Sequence, residues 1–152
     1  MDAFDYEILM ALQEDCRIST EALGDKVGLS ASACQRRIKK LKTEGIINRE
    51  VAILNRDRIP GYSAVIVDVI LDTGGENALD KFIIQLQQAE QVQQFYYVAG
   101  EIDFVVILVV KNMEEYDLLS RQLFMSNSNV KKFTSKVAIK SHKTSLKIPL
   151  KS

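Results

Sequence analysis

The chain has 152 residues, of which 47% are hydrophobic and 26% charged, a composition typical of folded globular proteins. Lysine plus arginine and aspartate plus glutamate number 20 each, so the formal net charge of zero excludes a uniformly basic or acidic protein. A single histidine and two cysteines, Cys16 and Cys34, with no Cys-x-x-Cys pair, argue against a zinc site and favour reduced thiols in a cytoplasmic protein.

The zero net charge conceals an alternation of charged blocks. Residues 1–29 hold two basic and seven acidic side chains, whereas residues 30–60 hold eight basic and three acidic ones. Residues 61–125 hold three basic and ten acidic side chains, and residues 126–152 hold seven lysines and no acid. A polyanion senses charge within a Debye length of ~10 Å at 0.1 M salt, so the local blocks matter more than the sum.

The first two predicted helices lie in the acidic N-terminal block. Residues 5–15 place apolar side chains at helical spacing, with Asp5 available as N-cap. Ser19 can cap a short second helix over residues 20–27, which Gly28 can end in the left-handed conformation.

A third helix is predicted over residues 31–44, with Ser30 as N-cap and Gly45 after its end. Two helices joined across "VGLS" form the helix-turn-helix pattern. The apolar and polar residues of 46–54 alternate enough to predict a short strand pair. This N-terminal part is therefore expected to be a winged helix-turn-helix domain.

The rest of the chain predicts a ferredoxin-like βαββαβ domain after a polar linker, "NRDRIPG", at residues 55–61. The glycines of "DTGGEN" are expected to break the first strand from the first helix. The strands are predicted at residues 62–71, 92–98, 103–111 and 130–142, and the helices at residues 78–88 and 113–124.

The strand at residues 104–110 is apolar on both faces, and the first strand is nearly so. The two helices of a βαββαβ unit cover one face of the sheet only, and a sheet with two apolar faces needs cover on both. A second copy of the chain is the simplest cover, so we expect a homodimer through the open face of the sheet.

The sequence resembles the Lrp/AsnC family of transcriptional regulators along essentially its whole length. The resemblance rests on "ISTEALGDKVGLSASACQRRIKKLKTEGII" and on "VAGEIDFVVILVVKNMEEYDLL". It implies a DNA-binding domain at residues 1–54, a linker at 55–61 and an effector-binding and dimerisation domain at 62–152. It also implies dimers that assemble into octamers. The sequence departs from the family pattern at Cys16, at Gly24, where alanine is common, and at Phe133, where we would expect threonine.

The third helix has two faces when its residues are placed at 100° intervals. Cys34, Ile38 and Leu41 form its core stripe, with Arg37 and Lys42 at the border. A lone basic helix is more often a solvated face, but here the helix-turn-helix context favours double-stranded DNA. Arginine can bind guanine, glutamine can bind adenine and alanine can contact a thymine methyl. The predicted base-edge residues are Ser32, Ala33, Gln35, Arg36 and Lys39, and the predicted phosphate contacts are Ser30, Lys40, Lys42 and Arg49.

The resemblance also implies a small effector, usually an amino acid, bound between subunits near the Gly-x-x-Asp turn and the last strand. A glycine turn exposes backbone N–H groups suited to an α-carboxylate, and a nearby acid suits an α-ammonium group. The alternative is a plain turn capped by its aspartate, and a phenylalanine at the last strand suggests an apolar or filled pocket. The residues carried over, or added from the same strand, are Gly100, Glu101, Ile102, Asp103, Phe133 and Ser135.

Two other functional classes remain as alternatives. One is an architectural protein that compacts DNA without a ligand. The other is a haem-biosynthesis decarboxylase subunit, because some of these enzymes resemble the same two-domain family. A single histidine and the lack of a nucleophile–base pair argue against catalysis, so we expect no enzyme activity and no cofactor.

Overall fold

The computed structural model describes residues 1–72 and 76–151, without the side chains of Asp57 and Glu76. Gly74 and Gly75, which were expected to end the first strand, lie outside the described residues. No helix in the described ranges is long and apolar enough to cross a membrane.

The chain folds into two compact units. The helical unit comprises Met1–Leu54 and the C-terminal segment Lys143–Ser152, and the sheet unit comprises Asn55–His142. A helix-turn-helix is followed by an antiparallel four-stranded sheet with helices, so the α+β architecture is confirmed.

Three helices form the helical unit: α1 (Ala3–Glu14), α2 (Thr20–Val27) and α3 (Ala31–Thr43). The N-cap predicted at Asp5 is wrong, because Asp2 occupies that position. The Asp2 carboxylate accepts the Asp5 N–H at 3.0 Å and the Asp5 carboxylate accepts the Asp2 N–H at 3.1 Å, which is a capping box. The helices enclose a small core of Ile8, Leu9, Ala11, Leu23, Val27, Cys34 and Leu41.

The strand pair predicted at residues 46–54 is wrong, because the structure has no strand there. A two-stranded ribbon is marginal unless it packs on other elements. Ile47 packs against the helical core, whereas the later apolar side chains of this segment project into solvent, with relative exposures of 62% for Val51, 85% for Ile53 and 70% for Leu54. The helix-turn-helix therefore has no wing within the described residues.

The C-terminal segment, from Lys143 onward, packs on α1, although the sequence predicted that it belongs to the second domain. The Gln13 side chain binds both backbone groups of Ile148, donating to the carbonyl at 3.1 Å and accepting the N–H at 2.7 Å. Lys147 forms an ion pair with Glu14, and Leu150 packs against the helical core. These contacts attach the chain's last segment to its first helix.

The sheet unit has the predicted βαββαβ order. Its elements are β1 (Ser63–Leu71), α4 (Glu76–Gln88), β2 (Val92–Tyr97), β3 (Phe104–Val110), α5 (Met113–Ser120) and β4 (Val130–Val137). The strands are arranged β2-β3-β1-β4, and every neighbouring pair is antiparallel. Helix α5 continues into a π-helical turn at Arg121–Met125, and the last strand stops at Val137 instead of residue 142.

The two faces of the sheet differ in burial. On the helix-covered face, alternate residues of β1 and β3 are fully buried, and Phe104 meets Phe82 edge to face at 5.3 Å between ring centroids. On the open face, the intervening residues of the same strands are only half-buried. The open face combines the apolar residues Ala64, Ile66, Ile70, Val105, Ile107 and Val109 with Asp68, which forms an ion pair with Lys136.

Candidate functional site

The turn between α2 and α3 is shaped by local contacts of small residues. The Ser19 hydroxyl accepts the Ala22 N–H, Gly28 takes the left-handed conformation with φ 73°, and the Ser30 hydroxyl accepts the Ala33 N–H. These caps appear where the sequence predicted them. They fix where α3 begins and therefore which of its residues point away from the core.

Gly24 lets the turn pass unusually close to α2. A Cβ atom at this position would lie 2.4 Å from the carbonyl oxygen of Leu29. Real Cβ atoms essentially never come that close to another heavy atom. The Leu29 N–H also donates to the Gly24 carbonyl at 3.0 Å. The packing of α2 against the turn thus requires the absence of a side chain at this residue.

Helix α3 presents a polar face away from the core. Cys34 and Leu41 are buried and Ile38 packs against the same cluster, as the helical periodicity predicted. Arg36 and Lys39 lie on the opposite, exposed side. Of the other predicted DNA-contacting residues, Ala33 is half-buried, and Ser30, Ser32, Gln35, Lys40 and Arg49 are exposed.

The five cations of α3 are not electrostatically equivalent. Lys42 binds Glu50 at 2.8 Å, and Lys40 lies 3.8 Å from Glu44 in an exposed pair. Arg36 and Lys39 have no ion-pair partner among residues 1–72 and 76–151. The uncompensated positive charge of α3 is therefore concentrated on its outer face, where an anion can reach it.

Arg37 differs from its neighbours because it binds the start of α1. One terminal guanidinium nitrogen lies 3.0 and 2.9 Å from the two carboxylate oxygens of Asp2 and 2.7 Å from Asp5. The Asp5 N–H and then Arg37 lower the pKa of Asp2. Burial alone would raise the pKa of Asp5, but hydrogen bonds from Arg37 and the Asp2 amide outweigh it, so this pKa is lowered too.

In the sheet unit, the residues predicted to bind an effector fall into two groups. Residues 100–103 form the turn between β2 and β3, where Glu101 is exposed, Ile102 is half-buried and Gly100 has φ 153°. The Asp103 carboxylate accepts the Leu71 N–H at 2.7 Å, at the end of β1. This carboxylate oxygen therefore binds the neighbouring strand and does not cap its own turn, so both the effector contact and the capped turn stay predictions.

Phe133 and Ser135 lie on the helix-covered face of β4. The Phe133 ring lies 5.2 Å from that of Phe124, and the Ser135 hydroxyl is hydrogen-bonded to the Tyr116 hydroxyl. Burial raises the pKa of Tyr116, although the hydrogen bond with Ser135 opposes this. Phe133 therefore packs against a ring of the same chain, and the choice between an apolar and a filled pocket stays a prediction.

The acidic partners of Arg37 were not predicted from the sequence. The three-residue spacing of Asp2 and Asp5 is a recognisable capping-box pattern, but their contact with Arg37 spans 35 and 32 positions and has no local signal. Among the residues that the structure describes, no group of histidine, cysteine, aspartate and glutamate side chains is arranged to hold a metal ion.

Comparison with known proteins identifies both parts of the chain. Residues 1–42 match the AsnC-type helix-turn-helix domain, and residues 64–148 match the Lrp/AsnC ligand binding domain. An uncharacterized HTH-type transcriptional regulator of Sinorhizobium fredii is 35% identical over 99% of this chain and 89% of its own length.

Solved structures show the same two-domain fold. The crystal structure of an AsnC family transcriptional regulator from Agrobacterium tumefaciens has a TM-score of 0.89 and 29% identity, covering 98% of this chain and 97% of that one. The transcriptional regulator from Neisseria meningitidis in complex with L-Met has a TM-score of 0.88 and 24% identity, covering 98% and 96%. This chain belongs to the Lrp/AsnC family of transcriptional regulators.

Proposed function

We propose that this protein regulates transcription by binding specific duplex DNA sequences through the exposed face of α3. The observation that carries the proposal is a pair of cations, Arg36 and Lys39, that have no ion-pair partner in the described part of the chain and lie on the outer face of the capped second helix of a helix-turn-helix. In such motifs the second helix enters the major groove and its N-terminal residues contact base edges.

The exposed side chains of α3 divide into two proposed roles. Arg36 and Gln35 can make bidentate contacts with guanine and adenine, and Ser32, Ala33 and Lys39 lie close enough along the helix to share the base edges. Ser30, Lys40 and Arg49 are proposed to contact phosphates, which adds affinity and salt dependence but little sequence choice.

Selection of tightly bound duplexes from a random library tests this proposal. The wild-type protein is expected to enrich a defined motif, and Arg36→Ala to weaken binding to it by roughly 1–3 kcal/mol while relaxing preference at one base position. Lys81→Ala, which removes an exposed cation from α4, is the matched control and should leave the motif unchanged. An unchanged preference in Arg36→Ala would refute the base-reading role of this residue.

We infer that a second copy of the chain covers the open face of the sheet. The half-buried apolar residues of β1 and β3 support this, because one chain alone leaves them against solvent. A dimer would also present α3 twice, which suits a two-fold symmetric DNA site. Sedimentation at micromolar protein should give a dimer or a larger assembly such as an octamer, and a monomer would contradict the inference.

We propose that an amino acid modulates assembly or DNA binding. The match to a ligand binding domain and the L-Met complex of the Neisseria regulator support an amino-acid effector. Residues 100–103 are the proposed contact, whereas the packing of Phe133 against Phe124 favours a pocket that this ring partly fills. Isothermal titration across the amino acids tests the idea, and a uniform absence of heat would remove the effector from the proposal.

Two other functions give different experimental outcomes. An architectural protein would bind selected and scrambled duplexes with similar affinity at fixed salt, whereas a specific regulator should favour the selected one by ~10³-fold or more. A haem-biosynthesis decarboxylase would show tetrapyrrole absorbance in the Soret region when purified. We propose a regulator without enzyme activity, in keeping with the regulators that this chain resembles.

A further inference from the structure

Arg37 lies within the recognition helix but is held away from solvent anions by contacts inside the helical unit. Its guanidinium binds three carboxylate oxygens of Asp2 and Asp5 at 2.7–3.0 Å, and its carbon atom lies 5.5 Å from the centre of the Phe4 ring. The side chain is 25% exposed, against 64% for Lys40. One positive charge facing two negative ones leaves no surplus to attract a phosphate.

The two carboxylates are themselves fixed in place. Asp2 and Asp5 form the capping box that starts α1, so each carboxylate also accepts a backbone N–H within that turn. Arg37 therefore connects the first turn of α1 to the middle of α3. Asp5 is the most enclosed part of this contact, with a side chain only 7% exposed.

This contact bears on DNA recognition because Arg37 directly follows Arg36. Successive residues of a helix point about 100° apart, so fixing the direction of one side chain fixes the rotation of the helix about its own axis. The apolar core stripe of Cys34 and Leu41 packs non-directionally, whereas a charged hydrogen-bonded contact sets distance and angle. Arg37 is therefore placed to fix the direction in which the Arg36 side chain projects from the helical unit.

We propose that Arg37, with Asp2 and Asp5, forms a clamp that orients α3 for sequence reading, and that Arg37 is a positioning residue that does not contact DNA. This inference rests on the proposed DNA-binding function. The clamp explains why one of the five cations of α3 binds carboxylates of the helical unit itself. It also predicts that removing a negative charge from the helical unit can weaken specific DNA binding.

Substitution of Asp5 gives opposite outcomes for the clamp and for simple electrostatics. Asp5→Asn keeps one side-chain oxygen that can accept the Asp2 N–H but loses the charge that holds Arg37. If Arg37 is a positioning residue, specific binding weakens by about tenfold or more while binding to a scrambled duplex stays equal or tightens. If Arg37 is a phosphate contact restrained by the carboxylates, Asp5→Asn tightens binding to both duplexes.

Salt dependence separates the same two roles for Arg37 itself. Each phosphate contact adds roughly 0.9 to the slope of log affinity against log salt. Arg37→Gln is expected to lower the ratio of the affinity for the specific duplex to that for the scrambled duplex without changing this slope. Lys40→Gln should lower the magnitude of the slope by about the contribution of one phosphate contact. Arg37→Lys keeps the charge but not the planar fork, so it should recover only part of the ratio.

The experiment uses the full-length protein, the duplex most enriched by the wild type and a scrambled duplex of equal length and composition. Thermal unfolding of each variant shows whether the fold is retained, and Arg37→Lys provides a folded comparison if Arg37→Gln unfolds. A wild type without duplex preference would refute the proposed function and the clamp with it. A wild-type preference that survives Arg37→Gln, or a slope that falls as it does in Lys40→Gln, would refute the clamp alone.

Discussion

Among the described residues, the sheet unit buries Phe82, Phe104 and Phe124 with aliphatic residues of its two central strands, whereas the helical unit buries no aromatic side chain and encloses a smaller cluster. In the helical unit, polar contacts instead connect segments that are separate along the chain. Arg37 binds the first turn of α1, Lys42 binds Glu50, and Lys147 binds Glu14. A unit with a small core thus depends more on charged and hydrogen-bonded contacts near its surface, which salt and pH can change.

This contrast predicts that the two units respond to different perturbations. Apolar truncation should act most strongly on the sheet unit, and changes to backbone packing, surface hydrogen bonds or pH should act on the helical unit. Hydrogen exchange measured by mass spectrometry assigns each loss of stability to one unit or the other.

Phe104→Ala is expected to have the largest effect. Phe104 is fully buried and contacts the rings of Phe82 and Tyr97 at 5.3 and 5.1 Å between centroids, so truncation leaves a cavity in the centre of the sheet unit. The free energy of unfolding should fall by about 3–5 kcal/mol. Exchange protection should fall in the sheet unit and persist in α1–α3.

Phe104→Leu is the matched control for this cavity, because it keeps most of the apolar volume and should cost clearly less. If Phe104→Ala lowered hydrogen-exchange protection in α1–α3 as much as in the sheet unit, the two units would unfold together. That result would contradict the expectation that they respond to different perturbations.

Gly24→Ala should have the next largest effect, and its sign is diagnostic. Alanine normally stabilises a helix interior by roughly 1 kcal/mol relative to glycine. Here the added Cβ would meet the Leu29 carbonyl oxygen at 2.4 Å, so we expect destabilisation of the helical unit by about 1–3 kcal/mol. Asp25→Ala, at an exposed position of the same helix, should show no such loss. A raised melting temperature for Gly24→Ala would show that the turn relaxes without cost.

The features predicted correctly from sequence are those with local signals. Ser19, Gly28 and Ser30 act within three or four residues of themselves, so their capping roles could be read directly from the sequence. The burial of Cys34 and Leu41 followed from helical periodicity, and the βαββαβ order followed from strand and helix periods.

The features missed depend on partners far along the chain. The Arg37–Asp2 contact spans 35 positions, and the Gln13–Ile148 contact spans 135. The strand pair predicted at residues 46–54 failed for a related reason, because alternation alone cannot supply the packing partner that a ribbon needs. The contact of Phe133 with Phe124 on the π-helical turn likewise had no local signal in the sequence, and the filled pocket stays a prediction.

Gln13→Ala tests whether the C-terminal segment contributes to the helical unit. The substitution removes both hydrogen bonds to the Ile148 backbone, at 3.1 and 2.7 Å. Both are solvent-exposed, so we expect the free energy of unfolding to fall by only about 1 kcal/mol, with faster amide exchange at Ile148. Glu7→Ala on the same helix removes a side chain without such contacts and serves as the control. Equal exchange at Ile148 in both variants would contradict the proposed role of Gln13.

Acidification is expected to give the smallest effect and to act first on the helical unit. Hydrogen bonds from the Asp5 amide and from Arg37 lower the pKa of Asp2. At Asp5, burial raises the pKa, but hydrogen bonds from Arg37 and the Asp2 amide outweigh it and the pKa is lowered. Lys147 lowers the pKa of Glu14. A carboxyl whose pKa is lower in the folded state stabilises the fold above its unfolded pKa, and this stabilisation is lost as pH falls through the folded value.

The expected window therefore begins near the ordinary pKa values of about 3.9 for aspartate and 4.3 for glutamate and extends downward. The sheet unit also has a carboxyl of lowered pKa, Glu115 in the first turn of α5. It accepts from the Lys111 amide and from Gln91 just before β2, and neither contact joins distant ends of the chain. Exchange protection should thus decline in α1 and α3 before it declines in β1 and β3 as pH is lowered from 5 toward 3. Asp5→Asn should flatten the decline in the helical unit alone, whereas equal declines in both units would show that surface charge contributes no more to one than to the other.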